Sequence, residues 1–94
     1  MEQNKQVEMI EEIRTKLTGL VGTRVHVRFN MGRSKVTERD GILAQAHPQL
    51  FIVEVEERRG RKARQSYQYV DILTETVELS DPVTGERLFE PFEV

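Results

Sequence analysis

The sequence predicts a mainly β domain with one N-terminal α-helix, in which five short strands close into a small barrel. A helical stripe lies within the first 18 residues, and five later segments alternate apolar with polar residues. Glycine, proline or clusters of polar residues separate these segments, as they do in small antiparallel sheets. A flat sheet of five short strands would expose both edges, whereas a bent and closed sheet with a helix over one end hides them.

The helix is predicted from about residue 4 to residue 18. Its apolar residues recur at steps of three and four and so share one face: Val7, Ile10, Ile13 and Leu17. Gly19 can adopt the left-handed conformation that ends a helix. We therefore assign residues 1–22 to the helix and a linker, residues 23–80 to the barrel, and residues 81–94 to an acidic C-terminal tail.

The predicted strands are residues 24–30, 36–46, 50–56, 65–70 and 74–79. The hairpin of residues 41–56 is the segment around which the domain is organised, because it holds two apolar runs separated by a turn with Pro48. Gly41 allows a sharp bend or a bulge at its start. Phe51 and Val53 are strand formers in the second run, and we expect both to be buried.

A helix followed by five strands is the arrangement of the small SH3-like and Sm-like barrels. Sm proteins follow the glycine of the second strand with an apolar residue, then with an acid and an asparagine that help to hold a base. Here Gly41 is followed by Leu43, His47 and Phe51 at the corresponding places. The sequence therefore predicts the barrel but not an Sm type of uridine pocket.

The composition sets limits on function. Ninety-four residues with 37% hydrophobic content suffice for a single domain. The absence of cysteine excludes a disulfide framework, a thiolate metal site and a thiol nucleophile. No apolar run approaches the roughly 20 residues that span a bilayer, and the N-terminus lacks the order of a signal peptide. We expect a cytoplasmic protein without a membrane partner.

The net charge of −2 conceals an uneven distribution. Residues 24–70 carry ten Arg or Lys against five acids, whereas residues 71–94 carry one Arg against seven acids. Such asymmetry indicates a phosphate-binding face, a self-complementary assembly, or a clamp of the tail on the body of the domain.

Three stretches resemble the Veg family of short bacterial proteins. They are residues 41–44 (GILA) with Pro48, residues 51–53 (FIV), and above all residues 66–79 (SYQYVDILTETVEL). The resemblance covers roughly residues 17–79. It implies a cytoplasmic, non-enzymatic regulator that stimulates biofilm formation through regulation of transcription, by binding a protein partner such as a transcriptional repressor.

The residues themselves indicate no catalytic site. Residues 32–35 (GRSK) lack the frame of a phosphate-binding loop, so a hairpin turn is the better interpretation. His26 and His47 show no metal-ligand spacing with an acid. Ser66 has no histidine at a spacing that suggests a hydrolase triad. We predict no catalytic residue, no metal and no cofactor.

Two predicted turns carry a cluster of basic residues, the second within a solvated connection over residues 57–64. This candidate surface for an acidic partner or a nucleic acid consists of Arg33, Lys35, Arg58, Arg59, Arg61, Lys62 and Arg64. One interpretation is that charged loop tips keep a small barrel soluble. The others are binding of an acidic protein, and direct binding of RNA or DNA through phosphate contacts.

Tyr67, Tyr69 and Asp71 are candidate interaction residues within the family-like run. The two tyrosines are expected on one face of a strand, where they either stack bases or, more commonly, pack as core or interface residues. Asp71 is expected to cap a helical turn through Ile72 and Leu73 rather than to act as an acid–base catalyst.

The acidic tail has interleaved apolar residues, namely Leu88, Phe89, Phe92 and Val94. Such a segment suits a sheet edge or a groove, with Pro91 excluding a central strand. We expect it to dock over residues 58–64 of its own chain or of a second copy, which leaves a homo-oligomer open. The alternative is a frayed terminus.

Overall fold

A computed structural model describes residues 5–32 and 34–91 of the chain, and for residue 58 the main chain alone. One α-helix precedes a five-stranded antiparallel sheet, and a short second helix lies before the last strand. The elements are α1 (Lys5–Thr18), β1 (Arg24–Gly32), β2 (Lys35–Ala46), β3 (Leu50–Glu56), a 3₁₀ turn (Arg58–Gly60), β4 (Lys62–Gln68), α2 (Tyr69–Leu73) and β5 (Val77–Ser80).

The sheet has the strand order β4-β3-β2-β1-β5. The mainly β class, the five strands and the N-terminal helix are thus confirmed. The closed barrel is not, because β4 and β5 do not pair within the described residues and the sheet stays open. The chain connects these two edge strands through α2, which buries Tyr69, Ile72 and Leu73 in the core.

The long strand β2 belongs to both halves of the sheet. It pairs with β1 over residues 35–42 and with β3 over residues 41–46. Gly41 stands where the two ladders overlap, and a Cβ there would lie 2.4 Å from the carbonyl oxygen of Glu54. Only glycine lets the neighbouring strand approach this closely.

The core lies between α1, α2 and the inner face of the sheet. Phe51 and Val53 are fully buried, as the sequence predicted. In α1, Ile13 and Leu17 are buried but Val7 is 56% exposed. The first turns of the helical stripe therefore extend beyond the surface that the small sheet can cover.

The start and end of β4 differ from the prediction of residues 65–70. The strand begins three residues earlier, at Lys62, because Arg59 and Gly60 both adopt positive φ and reverse the chain sharply. A main-chain hydrogen bond from Glu57 to Arg61 (2.7 Å) closes this turn. The strand ends at Gln68, so Tyr69 begins α2 instead of sharing a strand face with Tyr67.

Asp71 serves the start of α2, but not as its N-cap residue. That position is held by Gln68, whose main-chain N–H donates to Asp71 Oδ2 at 3.4 Å. The carboxylate therefore acts from inside the first turn, as the acid of a capping box does. β5 begins at Val77 rather than at residue 74, since Glu75 has a positive φ of 64° and ends the preceding turn.

The tail follows β5 back along its outer edge. Arg87 forms a bridge with Ser80, and the Leu88 N–H donates to the Leu79 carbonyl at 2.9 Å. Phe89 is only 9% exposed and lies under Lys16 of α1, whose Nζ is 4.9 Å from the ring centroid.

The expected docking of the tail over residues 58–64 is therefore wrong for the described part of this chain. Burial of an apolar ring against α1 decides the position of the segment, rather than the attraction between distant charges. The predictions for Phe92 and Val94 lie outside the described residues. Over the same described ranges, no helix has the length and apolarity needed to cross a bilayer.

Candidate partner-binding surface

An open concavity of about 540 Å³ lies between β2 and the connection from β3 to β4. Its lining residues are Arg39, Glu57, Arg59 and Arg61. We call this site the arginine concavity. Among the described side chains, three guanidinium groups against one carboxylate make it a basic site.

Two different parts of the fold supply the three arginines. Arg39 lies on β2 opposite Val27, two residues before Gly41, so strand alternation places it on the inner side of the sheet. Arg59 lies in the 3₁₀ turn in a left-handed conformation (φ 62°, ψ 33°), and Arg61 follows the turn. The turn, in which Arg59 holds a strained positive φ, thus brings Arg59 and Arg61 towards Arg39 on β2.

These arginines have no acidic partner of their own within 4.0 Å among the described residues. The arginines of the described chain that do form ion pairs are Arg14 with Glu11, Arg28 with Glu78, and Arg87 with Glu75. Arg39, Arg59 and Arg61 are also exposed. Their charges are therefore available to a partner molecule.

The structure divides the predicted basic cluster between two faces. Arg59 and Arg61 join the arginine concavity, whereas Lys62 and Arg64 stand in β4 opposite Glu56 and Glu54 on the outer face of the sheet. Lys35 is exposed at the start of β2, in the hairpin between β1 and β2. Arg33 and the side chain of Arg58 lie outside the described residues.

Sequence reasoning missed Arg39, because it lies inside a strand and the basic cluster was sought in turns. A signal was present in the alternation of residues 39–43. Gly41 and Leu43 face the core, so the residue two positions earlier had to share their side of the sheet.

Tyr67 lies on strand β4 opposite Phe51. It is half-buried, with ring centroids 6.1 Å from Phe29 and 5.6 Å from Phe51. Burial raises the pKa of the Tyr67 phenol, and the nearby charge of Arg39 acts in the opposite direction. Strand pairing places Tyr67 opposite the buried Phe51 and Arg39 opposite the buried Val27, so both side chains lie on the inner face of the sheet.

Tyr69 belongs to the core instead. Its ring is 1% exposed, and its hydroxyl donates to the carbonyl oxygen of His47 at 2.6 Å. Burial raises the pKa of this phenol. A buried ring with a satisfied hydroxyl has no face free for a base or a partner, which leaves Tyr67 as the partly exposed tyrosine.

A second polar cluster that the sequence did not indicate lies on the outer face of β1 and β2. His26 Nδ1 is 2.6 Å from Asp40 Oδ1, and His26 Nε2 is 2.7 Å from Glu38 Oε1. Hydrogen bonds to Asp40 and then to Glu38 raise the pKa of His26. The two carboxylates meet different ring nitrogens that point apart, and no group of His, Asp and Glu in the described parts of the chain could hold a metal ion.

An open antiparallel sheet of five strands with an N-terminal helix, and with polar side chains on its exposed faces, defines a small mainly β domain. A family model then gives the particular assignment: the biofilm formation stimulator VEG matches residues 8–80, and the chain belongs to this family. The match extends from α1 to the end of β5, beyond the segment on which the sequence resemblance rested. Its description is that of a stimulator and names no reaction. No curated protein matches the chain.

Proposed function

We propose that this protein stimulates biofilm formation as a non-enzymatic cytoplasmic regulator of transcription that binds an acidic face of a protein partner, such as a transcriptional repressor. The observation that carries the proposal is the convergence of Arg39, Arg59 and Arg61 without an acidic partner in the described chain. The family description supplies the biological outcome.

The chemistry of arginine supports a carboxylate-bearing partner. A guanidinium group donates paired hydrogen bonds to a carboxylate and is more weakly hydrated than an ammonium group, so it loses less on entering an interface. Charges of this kind increase the association rate and discriminate against basic surfaces. Because the arginine concavity is broad and open, it suits the surface of a macromolecule.

Direct binding of RNA or DNA is the second candidate function. It is favoured by the position of Tyr67 on the same face of the sheet as Arg39, since single-stranded nucleic acid binds to cationic grooves that contain aromatic rings. Two observations count against it. Glu57 places a carboxylate in the same concavity, and burial of Tyr69 removes one of the two expected stacking rings.

The proposal is tested by reversing charges in the concavity. The double variant Arg39→Glu/Arg59→Glu is expressed in a biofilm-forming bacterial host that lacks its own family member. We expect loss of stimulation with unchanged thermal melting, because both side chains are exposed. Lys5→Glu is the control for a single charge reversal. It changes the net charge by as much as either substitution alone, but on an exposed residue of α1. Full stimulation by the double variant would show that the concavity is not the site.

A titration distinguishes the second candidate. The purified protein is mixed with random single- and double-stranded oligonucleotides at about 50 mM salt, and the salt concentration is then raised. Binding that weakens with a slope of several charges, and that Arg39→Glu/Arg59→Glu reduces, would favour nucleic acid. Absence of binding at low salt would exclude nucleic acid and leave a protein partner as the remaining candidate.

A further inference from the structure

The strand β4 has a free edge. It pairs with β3 over all seven of its residues, and no other segment of the described chain pairs with its other side. Every second residue of such an edge presents a main-chain N–H and C=O to the outside. Seven residues are enough for a ladder with one added strand.

The charge of this edge is entirely basic. β4 contains Lys62 and Arg64 and no acid, and the chain enters it from Arg59 and Arg61 of the arginine concavity. A basic edge strand repels like-charged strands and attracts acidic ones. The acids Glu54 and Glu56 lie on the adjacent strand β3. They form no ion pair within 4.0 Å with the two basic residues of β4.

A second copy of this chain fits the edge poorly. Its β4 would bring the same positive charges into an added ladder. Its β5 is four residues long, and its own Arg87 and Leu88 already cover that strand's outer edge. An acidic segment of another protein therefore fits the edge better than β4 or β5 of a second copy.

We infer that the outer edge of β4 accepts an extended acidic segment of the protein partner as an added strand. The inference rests on the proposed function and specifies the form in which the partner binds. In such a ladder, alternate side chains of the segment share a face with Lys62 and Arg64, while the intervening ones share a face with Ala63 and Tyr67. The partner segment thus alternates acidic residues with small or apolar ones, and its end near Lys62 lies beside the arginine concavity.

The test uses three synthetic peptides of eight residues with a fluorescent label. The first alternates Glu and Val. The second has the same sequence, but is N-methylated at alternate residues along the one edge that would face β4, so that it keeps the charge and loses the hydrogen bonds of that edge. The third replaces Glu with Lys. Binding to the full chain is followed by fluorescence anisotropy, and amide hydrogen exchange is measured for residues 62–68.

We expect the Glu–Val peptide to bind and to slow exchange at alternate amides of β4. The N-methylated peptide should bind at least about tenfold more weakly, because it loses several main-chain hydrogen bonds to β4. The Lys–Val peptide should not bind. Arg64→Glu should weaken binding of the Glu–Val peptide several-fold, whereas Lys5→Glu, with the same change in net charge, should not.

Equal binding of the Glu–Val and N-methylated peptides, without protection of β4, would overturn strand addition and leave a purely electrostatic surface. Failure of the Glu–Val peptide to bind would also overturn it. Protection of the β4 amides that increases with protein concentration, in the absence of any peptide, would show that a second copy occupies the edge. None of these results alters the biofilm test of Arg39→Glu/Arg59→Glu, so the two proposals fail separately.

Discussion

The two edges of the sheet are protected in different ways. At the β5 edge, the chain turns back through residues 81–86 and places Arg87 and Leu88 along the strand. At the β4 edge, no described segment covers the strand, and Lys62 and Arg64 are the features that oppose uncontrolled pairing. Covering and charging are both ways in which natural sheets avoid aggregation.

The difference separates an edge that the chain itself covers from the edge that we propose as a binding site. The β5 edge is closed by apolar burial of Phe89, and Lys16 strengthens that contact through the ring and through a hydrogen bond from its Nζ to the Leu88 carbonyl. Such contacts contribute to folding and occupy the outer edge of β5 at Leu79 and Ser80. A charged edge excludes like-charged strands but remains available to an oppositely charged one.

The largest effect on stability is expected for a substitution of Phe51, which lies beside the β4 edge. Phe51 is fully buried on β3 and packs on both Tyr67 and Tyr69, with ring centroids 5.6 Å apart in each case. Phe51→Ala should lower the free energy of unfolding by about 3–5 kcal/mol through lost burial and a cavity. Urea denaturation measures it, with the exposed Val83→Ala as control. An unchanged midpoint would contradict our placement of the central hairpin.

At the covered edge, Phe89→Ala should lower the free energy of unfolding by about 3 kcal/mol, near the lower end for a buried phenylalanine, because the ring lies at the border of the core. Amide exchange in β5 should become faster while that in β4 stays the same. Val83→Ala, in the same tail segment, should alter neither quantity. Equal acceleration at both edges would mean that the tail stabilises the whole domain rather than the β5 edge.

Lys16→Met should have a smaller effect at the same place. The substitution keeps most of the aliphatic stem but removes the charge over Phe89 and the hydrogen bond to the Leu88 carbonyl. A cation–π contact at an exposed site contributes about 0.5–1 kcal/mol, so we expect a loss of about 1 kcal/mol in thermal denaturation. The Lys16→Arg variant should retain most of it. A loss equally large in Lys16→Arg would assign the effect to something other than charge.

Asp71 connects the two edges, because it stabilises the start of the helix between β4 and β5. Asp71→Ala should lower the free energy of unfolding by about 1 kcal/mol through loss of its bond to the Gln68 N–H. Asp71→Asn, which keeps an acceptor, should lose less. Unchanged stability together with loss of biofilm stimulation would instead make Asp71 a residue that contacts the partner.

The smallest expected effect concerns His26, on the ladder between β1 and β2. Its pKa is raised above the ordinary value of 6.5 by hydrogen bonds to Asp40 and Glu38. The stabilisation is therefore complete below pH 6.5 and is lost as the pH rises through the raised pKa. Melting temperatures measured across this range should fall more steeply for the parent than for His26→Gln. Parallel curves for the two proteins would show that the protonated ring contributes nothing to folding.

Local patterns in the sequence were enough to predict the type and order of the N-terminal helix and the five strands, and to indicate the family. The stripe through Ile13 and Leu17 gave the position of α1, and alternation gave five strands, because the periodicity of buried residues is a local property of the chain. The central hairpin with buried Phe51 and Val53 followed in the same way. Residues 66–79 carried the resemblance that the family match confirms.

The tertiary structure alone decided which distant residues meet. The open sheet, the approach of Arg39 to Arg59 and Arg61, the bonding of His26 to Glu38 and Asp40, and the docking of Phe89 on α1 all depend on strand register and on the path of the turns. A turn that is shorter by a few residues, as before β4, changes which residues form the strand and which surface they share. Local periodicity assigns each residue to a face, but the energy of packing between remote segments determines what lies opposite that face.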